Sequence, residues 1–264
     1  MLKLCVAGAA GRMGVAIIQA AYSKGIQTVG AIESPNSQYV GKTLRGIGIS
    51  EQDTPILSSN QLIDALSEAD VFISFTSPIA DLTNIPIVVN QEKRVVLGTT
   101  GFTPEQNQII IKIMGDKIPA VFSPNYSVGV NIFFKLIDTL NAFPKEYDFS
   151  INEIHHTGKK DAPSGTAKKL GEIVSNLRNY TNTVTGREGM NSRQPAEMEI
   201  TSLRAGGVSG IHNLIVAGPH EMLRIEHTAF SRDALAQGAV YAAEWISKQN
   251  IPKVYSMADV LGLT

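Results

Sequence analysis

The chain lacks the features that mark secreted, membrane-spanning and nucleic-acid-binding proteins. It has one cysteine in 264 residues, which excludes a disulfide framework, and the apolar run around Cys5 predicts a buried, inert thiol. The formal net charge of -1 gives no general attraction to nucleic acid or to an anionic membrane. The sequence shows neither a secretory leader pattern nor an uncharged apolar span long enough for a bilayer, so we expect a cytoplasmic location.

The composition that remains is that of an ordinary globular protein. Hydrophobic residues make up 43% of the chain and charged residues 18%. The length is sufficient for one large domain or two smaller ones with proper cores. Because the net charge is close to zero, a cluster of positive charge has to be local and therefore indicates a site.

Short apolar runs alternate with helical patterns through the first half. The helical stretches follow a glycine turn near residue 8 and a Thr-Pro-Glu start signal at residue 103. Strands alternating with helices predict parallel βαβ units and a Rossmann-type doubly wound parallel sheet. The runs that predict its strands are 2–8, 28–33, 70–75, 94–101 and 119–125.

The first turn from strand to helix reads GAAGRMG, with glycines at Gly8, Gly11 and Gly14. Such a turn allows a diphosphate to approach the backbone, and the helix start then offers unpaired N–H groups to it. Glu33 ends the second predicted strand, where a carboxylate can accept hydrogen bonds from an adenosine ribose. The pattern predicts a dinucleotide site, although close packing of a helix on a strand could also require the glycines.

The residues after Glu33 bear on the choice of cofactor. Ser34, Pro35 and Asn36 carry no positive charge, whereas a 2′-phosphate is usually bound by an arginine at this point. Arg12 lies in the glycine turn and could cover the adenine or the diphosphate. The sequence therefore favours NADH without excluding NADPH.

Two further loops follow predicted strands. They are GTTG at 98–101 and SPNY at 123–126. Ligands of open parallel sheets bind beyond the carboxyl ends of the strands, so both loops are predicted to line the nicotinamide end of the cleft. Ordinary turn chemistry is the alternative for each loop taken alone.

The pattern changes after Tyr126. A helix is predicted from residue 128, followed by β-type runs near 148–156, 197–207, 211–218 and 221–230, which indicate a mixed or antiparallel sheet. A long helix is predicted over about 232–248. We expect a dinucleotide-binding domain at 1–126 that 236–264 completes, and a second α+β domain for substrate binding and oligomerisation at 127–235.

The stretch EIHHTGKKDAPSGTA, residues 153–167, gathers several functional groups. Ser164 is a good N-cap, so Gly165 and Thr166 are predicted to offer first-turn N–H groups to an anion. His155 and Lys159 beside that helix start can move protons. A dehydrogenase that reduces an imine-like acid needs both functions.

Simpler interpretations of the same stretch stay open. Histidine pairs occur in solvated loops, and a lysine pair such as Lys159–Lys160 is usually a wet surface. A metal site is not predicted, because no Cys, Glu or further His lies at ligand spacing.

The motif E-I-H-H-x-x-K-x-D-A-P-S-G-T-A closely resembles the signature of the 4-hydroxy-tetrahydrodipicolinate (dihydrodipicolinate) reductase family of the diaminopimelate route to lysine. The glycine turn, GTTG, SPNYSVGVN, RAGGVSGIH at 204–212 and YSMADVLGL also resemble family segments, and they occur in the right order. The resemblance implies NADH- or NADPH-dependent reduction of a cyclic dicarboxylate, and a homotetramer joined through the sheet of the second domain.

The resemblance also implies roles for individual residues. His155 and Lys159 are the expected catalytic proton donors. The expected substrate-binding residues are His156, Ser164, Gly165 and Thr166. The expected cofactor-binding residues are Gly8, Ala9, Ala10, Gly11, Arg12, Met13, Glu33, Gly98, Thr99, Thr100, Ser123, Pro124, Asn125 and Tyr126.

Two other functions are compatible with the sequence. One is an aspartate- or homoserine-type dehydrogenase with the same two-domain plan, which would not need the His-His to Ser-Gly-Thr block. The other is a redox sensor that holds NAD(H) without turnover. A sensor of this kind would need a regulatory or DNA-binding surface, and the sequence has no basic helix of that sort.

Overall fold

The computed structural model describes residues 1–263. The chain divides into two compact units, one formed by Met1–Val128 with Asp233–Thr264 and the other by Gly129–Arg232. Within the described residues, no helix is both long enough and apolar enough to cross a membrane.

The first unit is built on the predicted parallel sheet, which has seven strands where the sequence predicts five. The strands are β1 (Lys3–Ala7), β2 (Gln27–Glu33), β3 (Ile56–Ser58), β4 (Val71–Ser74), β5 (Arg94–Leu97), β6 (Pro119–Phe122) and β12 (Lys253–Tyr255). Their order in the sheet is β12-β6-β5-β4-β1-β2-β3, and every pairing is parallel. The helices are α1 (Arg12–Ser23), α2 (Leu62–Leu66), α3 (Pro78–Asn90), α4 (Pro104–Met114), α7 (Asp233–Ile246) and α8 (Met257–Val260).

Both faces of this sheet are covered, which explains why its strands are apolar throughout. Leu4 and Val6 of β1 face one apolar core, and Cys5 and Ala7 face the other. Cys5 is fully buried, and burial raises the pKa of its thiol to about 12, so the thiol is inert as predicted.

Five elements of this unit are not predicted from the sequence, namely strands β3 and β12 and helices α2, α3 and α8. Strands β3 and β12 have three residues each, too few for an alternation pattern. Helix α3 contains Pro86 in its interior, where sequence rules expect a break. Strand β12 pairs with β6, so the C-terminal segment supplies the last strand of this sheet.

The second unit contains the predicted mixed sheet. Its strands are β7 (Asp148–His155), β8 (Asn182–Val184), β9 (Glu197–Arg204), β10 (Gly210–Ala217) and β11 (Met222–Ala229), and their order in the sheet is β11-β10-β7-β9-β8. Strand β9 is parallel to β7 and β8, whereas β10 is antiparallel to β7 and β11. Helices α5 (Val128–Thr139) and α6 (Gly165–Arg178) belong to the same part of the chain, and their apolar side chains join the core of the sheet.

Candidate active site

The glycine turn of the first unit is a tight backbone cradle. Gly8 adopts φ +63°, and its carbonyl accepts a hydrogen bond of 2.9 Å from the Gly11 N–H. A Cβ on Gly14 would lie 2.1 Å from the Gly8 carbonyl oxygen, so only glycine permits α1 to pack this closely on the turn. Gly11 is the N-cap of α1 and supplies no side-chain cap bond. The first N–H groups of α1 therefore suit an anion.

Glu33, which ends β2, lies against the glycine turn. Its Oε1 accepts a hydrogen bond of 2.8 Å from the backbone N–H of Ala10. A cleft of about 700 Å³ opens beside it. The turn, the end of β2 and the loop after β4 line this cleft, including Gly8, Gly11, Arg12, Met13, Glu33, Ser34 and Thr76.

The two loops predicted at the nicotinamide end lie side by side in the first unit. Thr99 and Ser123 are buried, and Thr100 and Pro124 line a smaller cavity of about 250 Å³. Gly98 is bonded to the neighbouring strand, because its N–H donates to the Ser74 carbonyl at 2.9 Å. The loops thus follow adjacent parallel strands, as expected for a ligand edge.

Tyr126 is placed differently from a ligand-contacting side chain. It is fully buried, and its hydroxyl lies 2.9 Å from the Leu97 carbonyl oxygen and 3.0 Å from that of Val121. Its ring packs edge-on against Phe75. The side chain therefore ties β5 to β6, so a contact with a cofactor would fall to its main chain.

A buried carboxylate beneath these loops has no counterpart in the sequence-based predictions. Asp81, in the first turn of α3, is fully buried, and its Oδ1 accepts hydrogen bonds from Ser74 at 2.5 Å and Thr76 at 3.3 Å. The Thr76 N–H donates to the Thr99 hydroxyl at 2.8 Å, and a Cβ on Gly8 would lie 2.9 Å from Thr76. The network joins the glycine turn to the GTTG loop.

Asp81 should make the stability of the protein fall with rising pH. Burial raises the pKa of Asp81 more than the bonds from Ser74, Thr99 and Thr76 lower it. The folded state therefore binds more protons than the unfolded state, and stability is lost as pH rises from the ordinary aspartate pKa through the raised one. As pH rises from about 4 to about 7, we expect the thermal midpoint of the wild type to fall relative to that of Asp81→Asn. A constant difference between the two midpoints would contradict this.

The catalytic candidates of the second unit meet on one face of its sheet. Glu153 and His155 are two residues apart in β7, so their side chains point to the same side. Register then adds distant partners, because β10 pairs His212 with Glu153 and β9 pairs Arg204 with His155. Glu153, His155 and His212 are all buried.

Glu153 is at the centre of this cluster. Its Oε2 lies 3.4 Å from His155 Nδ1 and 3.7 Å from His212 Nε2, and its Oε1 lies 3.3 Å from Arg204 Nη2. The His155 contact is within ion-pair range but lacks hydrogen-bond geometry, and Nδ1 of His155 has no hydrogen-bond partner among the described residues. The backbone N–H of Ser164 donates to both carboxylate oxygens, at 3.1 and 3.2 Å.

Burial, hydrogen bonds and neighbouring charges together set the protonation states in the cluster. Burial lowers the pKa of His155; Glu153 and Asp161 oppose this effect, while Lys159 and Arg204 add to it. Burial and the neighbouring His155 lower the pKa of His212 to about 4, so His212 is neutral near pH 7. Burial alone would raise the pKa of Glu153, but hydrogen bonds from Ser164 hold it below its ordinary value.

Ser164 is the N-cap of α6, as predicted. Its hydroxyl accepts the Ala167 N–H at 3.2 Å and lies 3.1 Å from His212 Nε2. The cap therefore serves the third N–H of the helix. Gly165 and Thr166, at the first two positions, are where an anion would bind.

The loop between β7 and α6 presents Lys159 beside the cluster. The Nζ of Lys159 pairs with Asp161 at 2.7 Å. Arg204 anchors the backbone of this loop, because its guanidinium donates hydrogen bonds to the carbonyl oxygens of Lys159 and Asp161 at 3.4 and 2.6 Å. His156 is partly buried, whereas Lys160 is exposed and belongs to the solvated surface.

The structure corrects the reason for predicting no metal. Ligand-type atoms of Glu153, His155 and His212 lie within 4.8 Å of one another; Glu153 is only two residues from His155 in β7, whereas His212 is distant in the sequence. Strand pairing, which linear spacing does not show, brings His212 to Glu153. The positive charges of Lys159 and Arg204 beside the cluster would compete with a cation there.

Glu153, Arg204 and His212 have no predicted role, although each lies in a motif quoted above. Strand alternation could have found Glu153, since it shares a face with His155. Arg204 and His212 reach the site only through pairing across about fifty residues of chain, for which the sequence carries no local signal.

Known protein families match nearly the whole chain. The family model described as "Dihydrodipicolinate reductase, N-terminus" matches residues 2–126, and that described as "Dihydrodipicolinate reductase, C-terminus" matches residues 129–261. A 4-hydroxy-tetrahydrodipicolinate reductase of Syntrophotalea carbinolica is 41% identical over 100% of both chains. One of Methanosarcina acetivorans is 40% identical, again over 100% of both chains.

Solved structures share the fold. A dipicolinate-bound dihydrodipicolinate reductase from Paenisporosarcina sp. TG-14 superposes with a TM-score of 0.73 over 98% of both chains, at 20% identity. An amine dehydrogenase from Mycobacterium smegmatis gives a TM-score of 0.66 at 14% identity, over 96% of this chain and 94% of that one. At such identities the likeness concerns the fold alone.

Proposed function

The chain belongs to the dihydrodipicolinate reductase family and is an NAD(P)H-dependent oxidoreductase, and we propose that His155 and Lys159 supply the proton for its reaction. The reaction is the reduction of 4-hydroxy-tetrahydrodipicolinate to tetrahydrodipicolinate in the diaminopimelate route of lysine biosynthesis. The unit built on the parallel sheet holds the dinucleotide, and the unit built on the mixed sheet holds the substrate.

The residues of the first unit fit a dinucleotide. Gly14 keeps the space at the turn free of a Cβ, and the uncapped start of α1 suits a diphosphate. Glu33 can exchange its bond to Ala10 for bonds to a ribose. Bound NAD(P)H supplies the hydride. Ser34 and its exposed neighbours offer no positive charge to a 2′-phosphate, which favours NADH.

The second unit fits a dicarboxylate. Gly165 and Thr166 at the start of α6 hold one carboxylate, and Lys159 adds a positive charge nearby. His155 is mostly neutral in the free protein because burial lowers its pKa. Two negative charges on an arriving substrate raise that pKa, so the ring gains its proton where the reduced substrate needs one.

The observation that carries this proposal is the buried Glu153–His155 pair beside a capped helix start and Lys159. The test is oxidation of NADH and NADPH in a coupled assay. The substrate would be made in place from pyruvate and aspartate semialdehyde by the preceding synthase. Oxidation that requires the synthase is the expected result. A protein that binds NADH yet oxidises neither cofactor would overturn the proposal and favour a sensor.

Glu33→Ala should weaken NADH binding by roughly tenfold, since a charge-assisted ribose bond is worth about 1.5 kcal/mol or more. The loss of affinity should not be larger, because in the cofactor-free protein the Glu33 carboxylate already accepts a hydrogen bond from the Ala10 N–H. The dissociation constants would be measured by NADH fluorescence. Glu51→Ala removes an exposed carboxylate of the same unit and is the control. Equal NADH affinity of Glu33→Ala and the wild type would reject the ribose role.

Thr166→Val should raise KM for the substrate by about tenfold while kcat changes little, because a hydrogen bond to a charged group is worth roughly 1.5 kcal/mol. Dipicolinate, the dicarboxylate bound to the reductase from Paenisporosarcina, is a direct binding probe. Thr183→Val, on an exposed strand of the same unit, is the matched control. A fall in kcat at constant KM would assign Thr166 to the chemistry instead.

We also propose a cytoplasmic homotetramer that associates through the second sheet. Glu153 and His155 point to the helix-covered face, so Ile154 faces the other way, in register with Leu203 and Ile211. Leu203 and Met222 are 52% and 58% exposed, an apolar surface that a partner subunit would cover. The mass by light scattering should be four times 28.4 kDa. Leu203→Lys should reduce it.

A further inference from the structure

We propose that Glu153 is a positioning residue that couples the proton donor to the substrate-carboxylate site, so that one buried side chain prepares both halves of the reaction. The inference rests on the proposed roles of His155 and of the start of α6. It adds that the protonation of His155 and the position of the start of α6 are coupled, because the carboxylate of Glu153 contacts both.

The two oxygens of Glu153 face different partners. Oε2 lies 3.4 Å from Nδ1 of His155, so its negative charge stabilises the protonated imidazole. Both oxygens accept the backbone N–H of Ser164, which fixes the residue that caps α6. The carboxylate thus supports the ring by charge and the helix start by hydrogen bonds.

Arg204 links the Glu153 carboxylate to the loop that carries Lys159. A fully buried carboxylate requires a counter-charge, and Arg204 Nη2 lies 3.3 Å from Oε1 of Glu153. The same guanidinium bonds to the carbonyl oxygens of Lys159 and Asp161. The loop that carries Lys159 is therefore anchored to the carboxylate that supports His155.

Substitutions can separate the two functions of Glu153. Glu153→Gln keeps the shape and an acceptor for the Ser164 N–H but removes the charge beside His155. We expect kcat to fall by roughly 10- to 100-fold with dipicolinate affinity within about threefold. Glu153→Ala also removes the acceptor, so the dissociation constant for dipicolinate should rise by roughly tenfold as well.

A double substitution tests the route of the effect. If Glu153 acts through His155, Glu153→Gln should lower kcat no further in a His155→Ala protein. An equal fall in both backgrounds would overturn the coupling, and so would a kcat of Glu153→Gln within about twofold of the wild type. Arg187→Gln removes an ion pair with Glu197 and Glu199 in the same unit, and should leave kcat and KM unchanged.

A measurement that does not depend on turnover separates this inference from the proposed function. The imidazole of His155 can be titrated by NMR in the wild type and in Glu153→Gln. Lys159, Arg204, Asp161 and neutral His212 surround the ring in both proteins, so losing the Glu153 charge should lower the pKa of His155. An unchanged pKa would overturn the inference even in an active enzyme. A lowered pKa would support the positioning role even if the coupled assay failed.

Where Glu153→Ala does not fold, Arg204→Lys provides the second variant. Lysine keeps the charge near Glu153 but cannot hold two carbonyl oxygens and a carboxylate with one planar group. We expect kcat of Arg204→Lys to fall by about tenfold, while its thermal midpoint stays within about 2 °C of that of the wild type. Wild-type kinetics for Arg204→Lys would show that the Lys159 loop needs no such anchor.

Discussion

Replacing His155 with alanine is expected to lower kcat for the reduction by roughly 10²- to 10⁴-fold, the range that a general acid contributes. The ring is buried beside a carboxylate and adjoins the loop of Lys159, which fits proton transfer better than substrate binding alone. NADH affinity should be unchanged, because the predicted dinucleotide contacts lie in the other unit. The measurements are steady-state kinetics in the coupled assay and NADH fluorescence titration.

The control for this substitution is His220→Ala, which removes an exposed histidine of the same unit. Its kinetics should equal those of the wild type. A kcat for His155→Ala within a few-fold of the wild type would assign proton donation to Lys159 alone. A Lys159→Ala protein would then show the large fall instead.

Replacing Gly14 with alanine is expected to destabilise the first unit by about 3 kcal/mol, near the upper end for an overpacked site. The added Cβ would lie 2.1 Å from the Gly8 carbonyl oxygen and 2.8 Å from the Ala9 Cα, and these backbone atoms cannot rotate away. The helix must shift outward, which moves its first N–H groups off the diphosphate. NADH binding should therefore weaken by at least about tenfold, or about 1.4 kcal/mol.

Thermal unfolding and NADH titration measure the two effects of Gly14→Ala separately. Gly207→Ala is the matched control, because a Cβ added there meets no described atom within 4 Å. Normal NADH affinity in a destabilised Gly14→Ala protein would show that this glycine serves helix packing alone. That outcome is the alternative left open by the sequence.

Much of the first unit could be predicted because its signals are local. A buried parallel strand is visible in the sequence as a short apolar run, and a turn that requires a positive φ or a close backbone contact is visible as a glycine. Helix α4 begins where Thr103 and Gln106 form a capping box, and Ser164 caps the start of α6 as predicted. Elements too short for a periodic pattern, such as β3 and β12, could not be predicted. Helix α3 could not be predicted because Pro86 lies in its interior, where sequence rules expect a break.

The candidate site divides in the same way. His155, Lys159 and Ser164 lie within ten residues, so one stretch of sequence displays them together. Asp81 gave no signal, because an aspartate in the first turn of a helix is usually an exposed residue that favours the helix dipole. Only the packing of α3 on the sheet shows that it is buried beneath Thr76.

The sequence by itself determined the parallel sheet, its glycine turn, the mixed sheet and the motif that carries the proposed proton donors, because each depends on residues that are neighbours along the chain. The tertiary structure alone decided that Glu153 supports His155 and Ser164 at once, and that Arg204 and His212 join them. Those contacts depend on the register of β7 with β9 and β10. Register is set by burial across the whole sheet, and no local pattern encodes it.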